Sequence, residues 1–74
     1  MLDFVMKNRV KDLRIKADLT QTELGYLSGL SQNSISSLEV GQYSPRAFNA
    51  LKICAALGCK FEDCFYLELE NVNQ

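Results

Sequence analysis

The segment spanning residues 20–41, TQTELGYLSGLSQNSISSLEVG, constrains the fold of this chain more than any other feature. It contains two short runs of helical apolar spacing, and the sequence SGLS separates them. Isolated helices shorter than about 12–15 residues are marginal in water. The two helices must therefore pack on each other and on the rest of the chain.

The segment carries specific signals for where its helices begin and end. Thr20 and Glu23 have the spacing of a capping box, which predicts a helix starting directly after Thr20. Gly29 can take the left-handed conformation that ends a helix. Ser31 is predicted to cap the next helix, over about residues 32–39. The predicted inward residues of this helix pair are Leu24, Leu27, Leu30, Ile35 and Leu38.

Three further helices are predicted over about residues 8–17, 44–57 and 61–65. Asn8 is a plausible N-cap for the first of them. Ser44 and Pro45 predict the start of another as its N-cap and first-turn proline, and Gly58 predicts its end. The predicted buried residues of the three helices are Val10, Leu13, Ala17, Ala47, Ala50, Leu51, Cys54, Leu57, Phe61, Cys64 and Phe65.

Both ends of the chain have strand character. The sequence LDFVMK near the start is extended and apolar, and FYLELE near the end alternates apolar and charged residues. Two such strands could pair as a short ribbon against a helical core. We expect one helix-turn-helix domain over residues 1–74, with the helix-turn-helix at about 21–39 and an acidic tail at 66–74.

The composition argues against an enzyme. Histidine is absent, which removes the commonest general base and the commonest neutral metal ligand. No phosphate-binding loop or pair of carboxylates in a cleft can be recognised, so no cofactor is expected. The absence of a long apolar run or a signal peptide predicts a cytoplasmic protein with no membrane partner.

Three cysteines, Cys54, Cys59 and Cys64, are evenly spaced along the chain. This spacing lacks the paired Cys-x-x-Cys of a zinc site. All three lie among apolar residues, where free cysteine behaves as a small hydrophobe. We therefore expect buried thiols and no metal, with a redox or metal role as the less favoured alternative.

The charge distribution differs between the body of the chain and its end. Residues 1–60 contain all 8 basic residues and 5 of the 9 acidic residues, although the whole chain has a net charge of −1. A basic body can bring a positive face to phosphates. An ordinary mixed surface is the alternative interpretation.

The outward face of the predicted third helix carries amides and hydroxyls: Gln32, Asn33, Ser36 and Ser37. Gln and Asn can make paired hydrogen bonds to adenine, and Ser can bond to several base edges. Gly25 costs about 1 kcal/mol relative to Ala within a helix, which predicts close approach by the third helix. The polar face could also be solvated surface.

The segment at residues 20–41 resembles the helix-turn-helix of the phage repressor and Cro family, also called the XRE family. The resemblance extends to NRVKDLRIKADL before it and to SPRAFNALKICAALGC and FEDCF after it. It implies an all-α, five-helix lambda-repressor-like domain that binds double-stranded DNA as a transcriptional repressor or activator. It further implies a homodimer with each third helix in the major groove of a palindromic operator. An antitoxin-like or other protein-interaction module of the same fold is the alternative.

The resemblance also implies roles for individual residues. The implied base contacts are Gln32, Asn33, Ser36 and Ser37, and the implied phosphate contacts are Thr20, Gln21, Tyr43 and Arg46. Gln21 would also brace Gln32. Arg14 and Glu39 fall where the family often places an ion pair between the first and third helices, although they could be unrelated surface charges.

Three residues depart from the family pattern. Val40 replaces the usual Asn before Gly, Phe48 replaces a polar residue, and Ser28 occupies an often apolar position.

Apolar residues accumulate near the fifth helix and the chain ends. This accumulation predicts a dimer interface that includes Phe61, Phe65, Tyr66, Leu67 and Leu69.

Overall fold

The computed structural model describes residues 1–72, which form five helices and a two-stranded sheet. In chain order the elements are β1 (Leu2–Asn8), α1 (Val10–Lys16), α2 (Gln21–Ser28), α3 (Gln32–Glu39), α4 (Ala47–Leu57), α5 (Phe61–Cys64) and β2 (Phe65–Asn71). The all-α description is therefore not strictly right, whereas the ribbon considered from the sequence is present. The longest described helix, α4, has 11 residues, so none of the described helices could cross a membrane.

The ribbon pairs the two ends of the chain in antiparallel register. Leu2 lies opposite Asn71 at one end of the ribbon, and Asn8 lies opposite Phe65 at the other. Most of the predicted acidic tail is thus strand β2, while residues 73 and 74 of that tail lie outside the described residues. The strands survive because their inner end is attached to the helical body, where Phe65 belongs to the core.

The predicted start and end signals of α2 and α3 are confirmed. Glu23 N donates to Thr20 Oγ1 at 3.0 Å, and Thr20 N donates to Glu23 Oε1 at 2.8 Å, which completes a capping box. Gly29 ends α2 with a left-handed φ of 72°. Ser31 caps α3 by accepting a 3.0 Å hydrogen bond from Ser34 N.

Gly25 is buried where α2 meets the turn and the start of α3. A Cβ at this position would lie 2.7 Å from the carbonyl oxygen of Leu30, 3.3 Å from Ser31 C and 3.4 Å from Gln32 N. The predicted close approach is confirmed, and the approaching atoms are those of the turn backbone and the first residue of α3. Glycine is required here for space, since its φ is not left-handed.

The core lies between the helices and the inner end of the ribbon. Its buried apolar residues are Val10, Leu24, Ile35, Leu38, Ala50, Ile53, Cys54, Cys64 and Phe65. Ser28 is also buried, and its hydroxyl donates to Leu24 O at 2.8 Å, with Gly25 O a second acceptor at 3.3 Å. Burial raises the pKa of the Cys54 thiol to about 11 and raises that of Cys64 as well, so both behave as neutral thiols.

Five residues predicted to face inward are exposed instead: Ala17, Leu27, Ala47, Leu51 and Phe61. On α4 the buried side is formed by Ala50, Ile53 and Cys54, so the predicted stripe was rotated. On α2 the small residues Gly25 and Ser28 are buried beside Leu24. Close packing of these small residues leaves Leu27 at the edge, 55% exposed.

The predicted starts of α1 and α4 are wrong by about two residues. Pro45 is buried and Arg46 is extended with ψ of 158°, so α4 begins only at Ala47 and lacks a side-chain cap. Asn8 belongs to β1, yet its Oδ1 accepts from Val10 N at 3.1 Å and its Nδ2 donates to Leu38 O at 3.0 Å. In both cases tertiary contacts keep the preceding residues extended.

Gly25→Ala should destabilise the protein by about 1–3 kcal/mol, the usual cost of overpacking a tight interface. The added methyl would contact the backbone of the turn, which outweighs the gain of about 1 kcal/mol in helix propensity. Urea denaturation followed by circular dichroism measures the change. Tyr26→Ala is the matched control, since Tyr26 lies on the same helix and is 85% exposed. A midpoint for Gly25→Ala equal to or above that of the wild type would contradict the packing argument.

Candidate nucleic-acid interface

The third helix, α3, presents a polar face to solvent. Ile35 and Leu38 are 0% and 1% exposed and attach the helix to the core. On the other side, the helix carries the four residues predicted to contact bases. Gln32 and Asn33 are exposed, while Ser36 and Ser37 are half-buried.

A chain of hydrogen-bonded side chains connects this face to the interior. Gln32 Nε2 donates to Gln21 Oε1 at 2.7 Å, and Gln21 Nε2 donates to Glu39 Oε1 at 3.0 Å. Arg14 completes the chain through Nε, 2.6 Å from Glu39 Oε2, and through Nη2, 3.1 Å from Glu39 Oε1. We call these four residues, Arg14, Glu39, Gln21 and Gln32, the polar relay. It joins α1, α2 and α3.

The ion pair within the polar relay is nearly removed from solvent. The side chains of Arg14 and Glu39 are 11% and 2% exposed. Burial by itself would raise the pKa of Glu39, but hydrogen bonds from Arg14 and Gln21 outweigh it and leave that pKa below its ordinary value of 4.5. Arg14 also donates from Nη1 to Leu19 O at 2.9 Å, which holds the connection between α1 and α2. The two residues are therefore not unrelated surface charges.

The predicted phosphate contacts lie at two helix starts and in one loop. Thr20 and Gln21 occupy the N-terminus of α2, where backbone N–H groups and the helix dipole favour anions. The Thr20 hydroxyl accepts a bond from Glu23 N and can still donate one. Arg46 is exposed at the start of α4, and Tyr43 is 37% exposed in the preceding loop. The arrangement offers several separate donors for phosphate oxygens.

A helix-turn-helix family model matches residues 10–64, which include α1 through α5. The chain belongs to the phage repressor and Cro-like (XRE) helix-turn-helix family. In this helix-turn-helix protein α3 is the second helix of the helix-turn-helix, and the polar relay connects it to α1 and α2.

Similar proteins in bacteria and archaea are also named as helix-turn-helix transcriptional regulators. The uncharacterized HTH-type transcriptional regulator YgzD of Bacillus subtilis is 44% identical over 66 residues, covering 89% of this chain and all of the relative. A regulator of Methanocaldococcus jannaschii is 40% identical over 63 residues, covering 85% and 96% of the two chains. One from Archaeoglobus fulgidus is 36% identical over 67 residues, covering 90% and 94%. Most of this helix-turn-helix chain, 85–90% of it, is thus similar to small regulators of nearly its own length.

The departures from the helix-turn-helix pattern have distinct structural consequences. Val40, which follows α3, is 69% exposed, so an apolar side chain lies at the end of this helix. Phe48 is 71% exposed, with Lys52 Nζ 4.9 Å from its ring centroid. Ser28 makes its hydrogen bonds within its own helix and needs no external partner.

The structure separates the residues predicted to form the dimer interface. Phe65 is 2% exposed, stacks on Phe61 at a centroid distance of 5.3 Å and belongs to the core. Tyr66 carries the Arg9 guanidinium 4.0 Å from its ring centroid. In the strand alternation Tyr66 also points to the opposite side of the ribbon from Leu67.

The exposed apolar residues of the ribbon share one face. Cross-strand partners point the same way, and Phe4 pairs with Leu69 while Met6 pairs with Leu67. We define the ribbon face as its four exposed apolar residues, Leu2, Phe4, Leu67 and Leu69, which are 64%, 65%, 66% and 53% exposed. Leu2 and Phe4 belong to the segment LDFVM, which was expected to pair with FYLELE, but they were not named among the predicted interface residues.

Arg14→Met should destabilise the protein by about 3–5 kcal/mol, because it leaves the buried Glu39 carboxylate without its cation. Lys16→Met, at an exposed position of the same helix, should change stability by no more than about 0.5 kcal/mol. Urea denaturation of both variants measures the difference. Equal midpoints would mean that the ion pair does not hold the helices together.

Proposed function

We propose that this protein is a transcriptional regulator that binds double-stranded DNA sequence-specifically, with α3 in the major groove of a palindromic operator. The single observation that carries the proposal is the 2.7 Å hydrogen bond from Gln32 Nε2 to Gln21 Oε1. It holds an exposed amide in one orientation at the start of α3, and the buried ion pair supports it. A glutamine on an ordinary solvated surface would not be held by such a hydrogen-bonded network.

The braced Gln32 amide retains the groups that base recognition requires. A primary amide has two N–H donors and one carbonyl acceptor. One N–H of Gln32 is used on Gln21. The other N–H and Oε1 can pair with adenine N7 and N6 in the major groove. Because the side chain is already oriented, binding loses less conformational entropy.

The composition of α3 determines which bases it can read. The helix has the sequence QNSISSLE and contains neither Arg nor Lys, the residues that most often recognise guanine. Asn33 adds a second amide beside Gln32, and Ser36 and Ser37 can bond to several base edges. We therefore assign an A·T preference to the base pair opposite Gln32.

Phosphate contacts would fix the register of α3 on the duplex. Thr20 and Gln21 at the start of α2 and Tyr43 and Arg46 before α4 are the candidate donors. Such contacts supply sequence-independent affinity and strong salt dependence. The excess of basic over acidic residues in positions 1–60 suits this role.

The proposed homodimer would form through the ribbon face. One eight-residue recognition helix offers few base contacts, and a symmetric dimer doubles them at half-sites about 34 Å apart. The ribbon face gathers four exposed apolar side chains from two strands. A second copy would bury them, and it would do so in the same way on both chains.

A protein-interaction role is a second candidate, favoured by an apolar stripe on α4. Phe48 and Leu51 are 71% and 55% exposed, and Ala55 continues the spacing along the same helix side. A Phe48→Ser, Leu51→Ser double variant should leave DNA affinity unchanged if the stripe contacts a partner protein. A large loss of DNA affinity would place the stripe in the DNA interface.

Gln32→Ala should weaken binding to the best duplex, selected from a random library, by about 1–3 kcal/mol and relax the preference at one base pair. Binding to random duplex should hardly change. Arg46→Ala is the comparison, since loss of a phosphate contact should weaken both duplexes alike and reduce the salt dependence. Fluorescence anisotropy measures both. An equal loss for Gln32→Ala on selected and random duplex would exclude base reading by Gln32.

Replacing Phe4 and Leu69 together by Thr should raise the dimer dissociation constant at least about tenfold, a change of about 1.4 kcal/mol. Thr keeps strand propensity, so the ribbon itself should persist. Ile15→Thr is the control, since Ile15 is 57% exposed on α1, away from the ribbon. Sedimentation equilibrium decides the question. A wild-type chain that stays monomeric at high micromolar concentration, with and without duplex, would contradict the proposed dimer.

A further inference from the structure

The three cysteines, evenly spaced in the sequence, converge in space. Cys54 lies on α4, Cys59 follows the end of that helix, and Cys64 is the last residue of α5. Their Sγ atoms all lie within 4.8 Å of one another. We call these residues the thiol cluster. The prediction of no metal site was based on the spacing of the cysteines along the chain. That spacing does not show which cysteines meet in space.

Backbone contacts hold the thiol cluster in place. Gly58 ends α4 with a left-handed φ of 69°, and Cys59 N then donates to Cys54 O at 3.1 Å. On the other side, Arg9 N donates to Cys64 O at 2.8 Å, which ties the cluster to the connection between β1 and α1. The three sulfurs therefore come from segments with fixed relative positions.

We propose that the thiol cluster binds one soft monovalent cation, Cu⁺, through its three sulfur atoms. Cysteine sulfur selects soft ions such as Cu⁺ and Zn²⁺. Structural Zn²⁺ takes four protein ligands in a tetrahedron. The chain has 3 cysteines and no histidine, so the cluster offers three sulfurs and favours an ion that accepts three ligands.

The dimensions of the cluster suit such an ion. The centre of an equilateral triangle with sides of 4.8 Å lies about 2.8 Å from each corner, and metal–thiolate bonds of zinc measure about 2.3 Å. Since 4.8 Å is the upper limit of these distances, closing around an ion requires each sulfur to move inward by at most roughly half an ångström. As the three metal–sulfur bonds form, the three thiol protons pass to solvent.

The burial of the three thiols indicates from which side an ion can reach the cluster, and the chain positions of the cysteines determine which elements the ion joins. Cys54 and Cys64 are 3% and 0% exposed, whereas Cys59 is half-buried and lies on the accessible side. Strand β2 begins at Phe65, directly after Cys64. A bound ion would therefore join the end of α4, helix α5 and the inner end of the ribbon.

The test is an anaerobic titration of the reduced full chain with Cu⁺ supplied as its complex with a colorimetric chelator. We expect one Cu⁺ per chain, an ultraviolet thiolate-to-copper charge-transfer band and protection of all three thiols from maleimide. Free ion at 100 times its dissociation constant should raise the melting temperature by about 10 °C or more. Zn²⁺ and Mg²⁺ are titrated in parallel. Zn²⁺ that protects the thiols as well as Cu⁺ does would overturn the assignment to a three-coordinate ion.

Two single replacements and one control make the assignment specific. Cys59→Ser removes the accessible ligand, and Cys54→Ala removes a buried one while keeping a small apolar side chain. Each should weaken Cu⁺ binding at least about 100-fold. Ala56→Ser, half-buried on the same helix as Cys54, keeps all three thiols and should bind as the wild type does. One Cu⁺ retained per chain in Cys59→Ser, or binding without any rise in melting temperature, would overturn the proposal.

Discussion

The buried carboxylate of Glu39 is the constraint on which the rest of the structure depends. It accepts hydrogen bonds from Arg14 on α1 and Gln21 on α2, while it belongs to α3. A charge that is 2% exposed is tolerated only when it is paired and hydrogen-bonded. All three helices must therefore be in place together, although none of them exceeds eight residues. The same contacts continue outward to Gln32, so stability and the proposed reading of DNA share one network.

A second constraint acts on α3 from the side of the turn. Gly25 lets the Leu30 carbonyl approach to a distance that no side chain would permit. Ser28 is buried on the same helix, and its bonds to helix carbonyls avoid the cost of an unpaired hydroxyl. Small residues thus bring the two short helices close, while the polar relay sets their orientation. The position of α3 follows from a steric condition at Gly25 and an electrostatic one at Glu39.

The ribbon and the thiol cluster belong to the part of the structure formed by the chain ends, α4 and α5. One side of the ribbon seals the core through Phe65 at its inner end and exposes apolar side chains at its outer end. The other side carries polar contacts such as the 2.6 Å ion pair between Lys7 and Glu70. Because Cys64 directly precedes β2, the proposed metal site lies at the start of the strand that carries Leu67 and Leu69 of the proposed dimer surface. An ion held there would stiffen the base from which the ribbon face projects.

The sequence by itself determined the elements whose signals are local. The capping box at Thr20, the left-handed Gly29 and the cap at Ser31 placed α2 and α3 correctly, because each signal acts within one helical turn. Tertiary structure alone decided what depends on distant packing. It kept Arg46 extended, turned Leu51 outward and brought the three thiols together. Hydrogen bonds within one helical turn are determined by neighbours in the chain. Burial depends on which distant segments pack against a residue, and a periodic pattern does not identify those segments.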